Sequence, residues 1–361
     1  MTCPASPARK SWVDAGWRSK PAATCLSILF PFLALSSPTA TEQGKVVVSD
    51  PAYTHAQRLV EVEPGRRLNL YCLGRGSPTV VFESGLTDET ITWALVQPTI
   101  AKHARACTYD RAGVGYSDPQ GRPGDSANIV DDLHRLLAAA SIKPPYLLVG
   151  HSLGGMHVRL YADTYLADVA GMVLVDSAQE TWVENMWRLN PKQPTREEAF
   201  AWDRQEFADQ RDCVKDAESG FIEGSGTYKK CVPDPNPLYS DAINLAYRRT
   251  HVLVAYQRAQ MTEQEAYQHA SSDEVSAARR WYGDMPLIVL TSTPQGPRAD
   301  EKQSHRDAVN RVHATFADQL AALSRHGVVR PVPDSTHDIQ NSQPGAVIDA
   351  ILEVLKEAQK K

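Results

Sequence analysis

Tyr146-Leu-Leu-Val-Gly150-His151-Ser152-Leu153-Gly154-Gly155 is an apolar strand that runs straight into a glycine-flanked serine and then into an amphipathic segment. A chain that turns from strand to helix within a few residues drives its middle residue toward positive φ and crowds the neighbours. Gly150 and Gly154, two before and two after Ser152, relieve that crowding. The turn then holds Oγ up at the carboxyl edge of a sheet, with a helix N-terminus beneath it. That is a nucleophile's position.

Outward from this turn, strand and helix signals alternate. Arg66–Leu73 alternates polar and apolar residues, the period of a half-buried strand. Thr79–Gly85, Ala104–Asp110, Gly171–Asp176, Met285–Leu290 and Gly327–Val332 read as further short strands, most of them continuously apolar. Helical spacing covers Thr92–His103, Ser126–Ala140, Met156–Leu166, Ala308–Leu323 and Ala346–Lys356. Strands that are apolar on both faces and alternate with helices predict an α/β fold with a mostly parallel sheet covered by helices. Gly113-Val-Gly115 lacks the third glycine of a dinucleotide loop and reads as a turn, and Gly74-Arg-Gly76 reads as a hairpin turn.

Between Asp176 and Met285 the rhythm changes to charged, tryptophan-containing helical sequence with a Gly- and Pro-rich break at 220–237. The expected organisation is a leader at 1–40, a first core part at 41–176, a helical cap at 177–284 and a second core part at 285–361. The cap tryptophans, Trp281 among them, are read as packing residues. The leader carries Arg9, Lys10, Arg18 and Lys20 before the apolar run Cys25–Leu35 and the small residues Ser36–Ala40, the pattern of an export signal. A periplasmic or secreted location follows.

Composition bounds the partners. The 361 residues are 42% hydrophobic and 22% charged, with a net charge of −5 and no basic stripe, which argues against nucleic acid. The body of the chain has no run long enough to span a bilayer once the signal is removed. Six cysteines include Cys72, Cys107, Cys213 and Cys231 outside the leader, an even number that suits two disulfides in an oxidising compartment. Buried free thiols are the alternative for Cys72 and Cys107.

Ser152 alone is too weak an acid to attack at neutral pH and needs a base, itself oriented by a carboxylate. His337 follows the last strand and precedes the closing helix, the place for the base; His151 should point away from any partner that reaches Oγ. Asp176 ends the strand after the elbow helix and is the expected acid, with Asp300 as the alternative and Glu301 beside it. The oxyanion donors expected are the Leu153 and Leu86 amides, the latter in Ser84-Gly85-Leu86. Glu83 would oppose an oxyanion unless paired, with Arg111 the candidate partner.

Taken together, Thr79–Gly85, Tyr109-Asp-Arg-Ala-Gly-Val-Gly-Tyr-Ser-Asp118, Gly150–Gly155, Val173–Asp176 and Ser335-Thr-His337 resemble the landmarks of the α/β-hydrolase superfamily, over about Arg66 to Leu355. The resemblance implies an eight-stranded sheet with a cap inserted after the sixth strand. It implies an acid at Asp176, as in haloalkane dehalogenases, whereas those relatives attack with an aspartate where this chain has Ser152. Many relatives have His-Gly where this chain has Ser84-Gly85. It also places the second strand beside the fourth, so that Cys72 and Cys107 could bond, leaving Cys213 and Cys231 as the second pair. The function expected is a serine hydrolase of a small-molecule carboxylic ester, with no metal or organic cofactor. An amidase, peptidase or lactonase on the same triad, or a non-catalytic binder of this fold, are the alternatives.

Overall fold

The computed structural model describes residues 47–188, 196–294, 296–297 and 301–360. The leader expected at 1–40 and the alternative acid Asp300 lie outside the described residues. Eight strands form one sheet: β1 Leu59–Glu63, β2 Arg66–Leu73, β3 Thr79–Glu83, β4 Ala106–Tyr109, β5 Tyr146–His151, β6 Val169–Val175, β7 Leu287–Thr291 and β8 Gly327–Pro331. Their order is β1-β2-β4-β3-β5-β6-β7-β8. Only β1 with β2 and β2 with β4 run antiparallel; β4 onward is parallel throughout.

Both faces of the sheet are covered, which is why the central strands carry apolar residues without alternation. One face packs Leu148, Met172 and Leu174 against Leu133, Leu137, Met156, Leu160 and Phe316, from the helices Ser126–Ala139, Leu153–Thr164 and Gln303–Ala321. The other packs Leu147, Val149 and Val173 against Trp93, Ile100 and the helix Pro344–Ala358 through Val347, Ile351 and Val354.

Three local readings change. The helix expected at 92–103 is a 3₁₀ turn, Thr90–Trp93, followed by the single helical turn Gln97–Ile100. Pro98 has no N–H for a ladder running through that stretch, so the chain can only restart there. Gly74–Gly76 is not a hairpin turn, because β2 and β3 are not paired; it connects strands on either side of β4. Gly74 has φ +68, and a Cβ there would stand 2.2 Å from the Ala101 carbonyl oxygen. The hairpin lies earlier, at Gly65 (φ +76) between β1 and β2. Trp281 stands open to solvent, 56% exposed, with the Arg325 guanidinium over its ring.

Six described helices lie between β6 and β7, from Trp182–Arg188 to Ala270–Ala278. Cys213 is bonded to Cys231 within this insertion, and Cys72 to Cys107 across paired residues of β2 and β4. Among the described residues no helix is long and apolar enough to cross a membrane.

Candidate active site

Ser152 sits between β5 and the helix Leu153–Thr164 at φ 50, ψ −122, a region that costs a residue with a Cβ about 1–3 kcal/mol. Its surroundings over-determine that shape. The Ser152 N–H donates to the Val175 carbonyl, and the Ser152 carbonyl accepts from Gly155 and Ala178. A Cβ on Gly150 would lie 2.6 Å from the Gly154 carbonyl oxygen, and one on Gly154 2.4 Å from that of Glu83. Glycine at both places is therefore a steric requirement of the turn.

His337 and Asp176 arrive at this turn from the ends of β8 and β6. His337 Nε2 is 3.0 Å from Ser152 Oγ, and His337 Nδ1 is 2.7 Å from Asp176 Oδ2. An ionised Asp176 can only accept, so Nδ1 carries the proton and Nε2 is left as the acceptor for the serine O–H. Burial raises the Asp176 pKa, but the hydrogen bond and charge of His337, with those from Ser292, leave it below the ordinary carboxylate value. Separation from bulk water lowers the His337 pKa, and the hydrogen bond and charge of Asp176 raise it by more. With 56% of the His337 side chain open to solvent, the net upward direction is the consistent one.

The loops after β7 and β8 hold this geometry. Asp176 Oδ1 accepts from the Ser292 N–H and Oδ2 from the Ser292 hydroxyl, each at 2.9 Å. Thr293 N–H donates to Ser335 Oγ, and Ser335 N–H returns to Thr293 Oγ1. Nothing in the sequence distinguishes Ser292, because the loop after β7 contributes a hydroxyl and not a carboxylate. Glu301 accepts from Arg306, on the helix that follows it, at 3.0 Å.

His151 turns away from Oγ yet reaches the base by another route. Its Nε2 donates to the His337 carbonyl at 3.2 Å, and the two rings lie 4.9 Å apart. Asp88 Oδ2 stands 3.7 Å from His151 Nδ1, beyond hydrogen-bond length. The position beside Ser152 was the available signal for His151, and its ring contact with His337 depends on the loop after β8.

Glu83 is completely buried and is paired with Arg111, whose Nη1 is 2.7 Å from Glu83 Oε1. Burial raises the Glu83 pKa, while His157, Arg111 and Tyr109 lower it and prevail. Leu153 opens its helix, so its N–H has no carbonyl one turn earlier to donate to. The Leu86 N–H makes no hydrogen bond among the described residues, whereas the next amide, that of Thr87, donates to Glu263 Oε2. No group of three His, Cys, Asp or Glu among the described residues forms a metal-holding cluster.

A family model described as the alpha/beta hydrolase fold matches residues 78–218, the stretch from just before β3 into the insertion. The chain has the α/β-hydrolase fold. Among curated relatives, the uncharacterized protein YqjL of Bacillus subtilis is 39% identical over 105 residues, 29% of this chain and 42% of that protein. An AB hydrolase superfamily protein of Gibberella zeae is 30% identical over 107 residues, 28% of this chain and 33% of that protein. The chain spans less than half the length of the curated relatives it matches. Among solved structures, a Bacillus anthracis bromoperoxidase superposes with TM-score 0.54 at 16% identity, covering 83% of this chain and 99% of that one. The epoxide hydrolase CorEH superposes with TM-score 0.56 at 16% identity, covering 84% and 98%. At such identities the likeness is one of fold.

Proposed function

We propose that this chain is an exported serine hydrolase that cleaves small-molecule carboxylic esters through Ser152, His337 and Asp176. The observation that carries the reading is the unbroken relay Asp176 Oδ2, His337 Nδ1, His337 Nε2, Ser152 Oγ, with links of 2.7 and 3.0 Å at a strained strand-to-helix turn. Ser152 Oγ attacks the ester carbonyl carbon while His337 Nε2 takes the hydroxyl proton. The carbonyl oxygen becomes an oxyanion, held by the Leu86 and Leu153 N–H groups. On collapse the C–O bond to the alcohol breaks, and His337 returns its proton to the leaving oxygen. Water, deprotonated by His337, then attacks the acyl-enzyme and releases the acid and Ser152. Asp176 stays ionised throughout and holds the imidazole in the useful tautomer. The insertion at 177–284 is read as a cap that walls the substrate pocket.

Export is supported by the basic-then-apolar leader and by the two disulfides, which persist in oxidising compartments. An amidase or lactonase would use the same relay, and a non-catalytic binder would not use it at all. A fluorophosphonate probe separates the last from the rest: covalent labelling lost in Ser152→Ala is expected, and an unlabelled wild-type protein overturns the reading. Hydrolysis of an ester panel of graded acyl length, set against matched amides and lactones, then assigns the bond cleaved.

A further inference from the structure

Arg111 uses all five of its N–H donors around a single loop. Nε and Nη2 form a fork on the two oxygens of Glu263, at 2.8 and 2.9 Å. Nη1 donates to Glu83 Oε1 at 2.7 Å and to the Ser84 carbonyl at 2.9 Å, and Nη2 donates in addition to the Gly85 carbonyl. The same Glu263 accepts the Thr87 N–H at 2.9 Å. Arg111 and Glu263 therefore grip the backbone on both sides of Leu86, from side chains that are almost wholly buried.

The geometry of the peptide unit gives this grip a direction. The Gly85 carbonyl and the Leu86 N–H belong to one planar trans peptide and point opposite ways. With the carbonyl tied to Arg111, the N–H must project from the other side of the loop. The loop itself lies against the serine turn: a Cβ on Gly154 would collide with the Glu83 and Ser84 carbonyls, and one on Gly85 would lie 3.0 Å from His151 Nδ1. Thr87 beyond it has φ 51, an outlier for a β-branched residue that persists only where the surroundings impose it. Its bond to Glu263 is such an imposition.

We propose that Arg111 and Glu263 are positioning residues that hold the Gly85–Leu86 peptide with its N–H aimed at the oxyanion. The helix Val254–Tyr267, which carries Glu263 from 152 residues beyond Arg111, thereby sets the competence of the oxyanion hole. The inference rests on the serine-hydrolase reading. It adds that a residue of the insertion acts on the chemical step through the loop after β3, and not only through the shape of a pocket.

Glu263→Gln tests it, because it keeps side-chain volume yet cannot accept both arms of the Arg111 fork and the Thr87 N–H together. The rate of Ser152 phosphonylation by a fluorophosphonate, and kcat on an ester, should fall together by roughly 10- to 100-fold per folded molecule, with KM little changed. Glu263→Asp keeps the charge for the buried guanidinium, should recover part of both rates, and stands in if the Gln variant does not fold. Unchanged phosphonylation and kcat per folded molecule, with only Tm lowered, would show a purely structural pair and overturn the proposal. A wild-type protein that is never phosphonylated at Ser152 overturns the hydrolase reading itself, and this inference with it.

Discussion

Asp176 Oδ2 and His337 Nδ1 lie 2.7 Å apart although 161 residues separate them in the chain, and Asp176 is held at φ 43 to make that contact. The Asp176 N–H donates to the Leu290 carbonyl, and its carboxylate accepts twice from Ser292, so β7 and the loop after it fix the acid at both ends. An imidazole whose tautomer depends on this carboxylate should fail when the carboxylate becomes an amide.

Asp176→Asn is therefore expected to lower kcat by about 10⁴-fold while leaving Ser152 and His337 in place, since the amide favours the wrong tautomer. Ser292→Ala removes one of the carboxylate's hydrogen bonds and should cost roughly 1 kcal/mol of that orientation, a several-fold loss of kcat. Steady-state kinetics on both variants checks the pair. An unimpaired Asp176→Asn enzyme would remove Asp176 from the relay.

The pH profile should report the same contact. His337 acts as a base only when neutral, so kcat/KM must rise with pH as the imidazole loses its proton. Asp176, with Asp338 and Asp88 adding to it, raises that pKa, so the midpoint of the acid limb is expected above the ordinary 6.5. Asp176→Asn should move the midpoint down. A wild-type limb centred below 6.5, or one that does not move in the variant, contradicts the assignment.

Periodicity and position make the sheet legible in the sequence, and with it the strand ends that carry Ser152, Asp176 and His337. The strands that end at Ser152 and Asp176 are continuously apolar, the one before His337 is apolar but for Arg330, and each of the three side chains follows such a strand. What stayed hidden depends on contacts distant in sequence. Glu263 lies 152 residues beyond Arg111, and nothing in its own helix distinguishes it from other solvated glutamates until the fold buries it. The Gly74 connection has the turn chemistry of a hairpin but is none, because turn residues report a local bend, whereas strand order is set by packing across β4. Ser292 escaped because a hydroxyl after a strand is common, and its role appears only with Asp176 beside it.

The two disulfides should resist mild reduction and support stability. Cys107 and Cys213 are almost wholly buried, so a reductant must wait for local opening. The 35-residue and 18-residue separations correspond to about 4 and about 3 kcal/mol in the loop-entropy account. Mass spectrometry under non-reducing conditions should find no free thiol at Cys72, Cys107, Cys213 or Cys231. The double variant Cys213→Ser/Cys231→Ser should melt several degrees lower, and an unchanged Tm would show that the insertion does not need its staple.

Glu89 should make the protein less stable as pH rises through neutrality. It is buried beside His251, with Oε1 3.2 Å from His251 Nε2, yet the contact is not an ion pair. Burial pushes Glu89 up to about 8 and His251 down to about 3, so both are neutral at pH 7. The Thr250 hydroxyl, with one proton for both Glu89 Oε1 and the Tyr247 carbonyl, is better satisfied if Glu89 carries a proton of its own to donate. A carboxyl whose folded pKa lies above its unfolded value of 4.5 binds more protons folded than unfolded between those limits. Stability then falls as pH climbs from about 4.5 to about 8. Asp110, raised to about 7 chiefly by burial, adds to the same slope. Glu89→Gln keeps a neutral donor and acceptor, so its Tm relative to wild type should improve steadily from about pH 4.5 to about pH 8, the window set by the Glu89 shift. A Tm difference that is flat over this range, or that moves the other way, would mean that Glu89 is ionised in the folded protein and that His251 is its counter-ion.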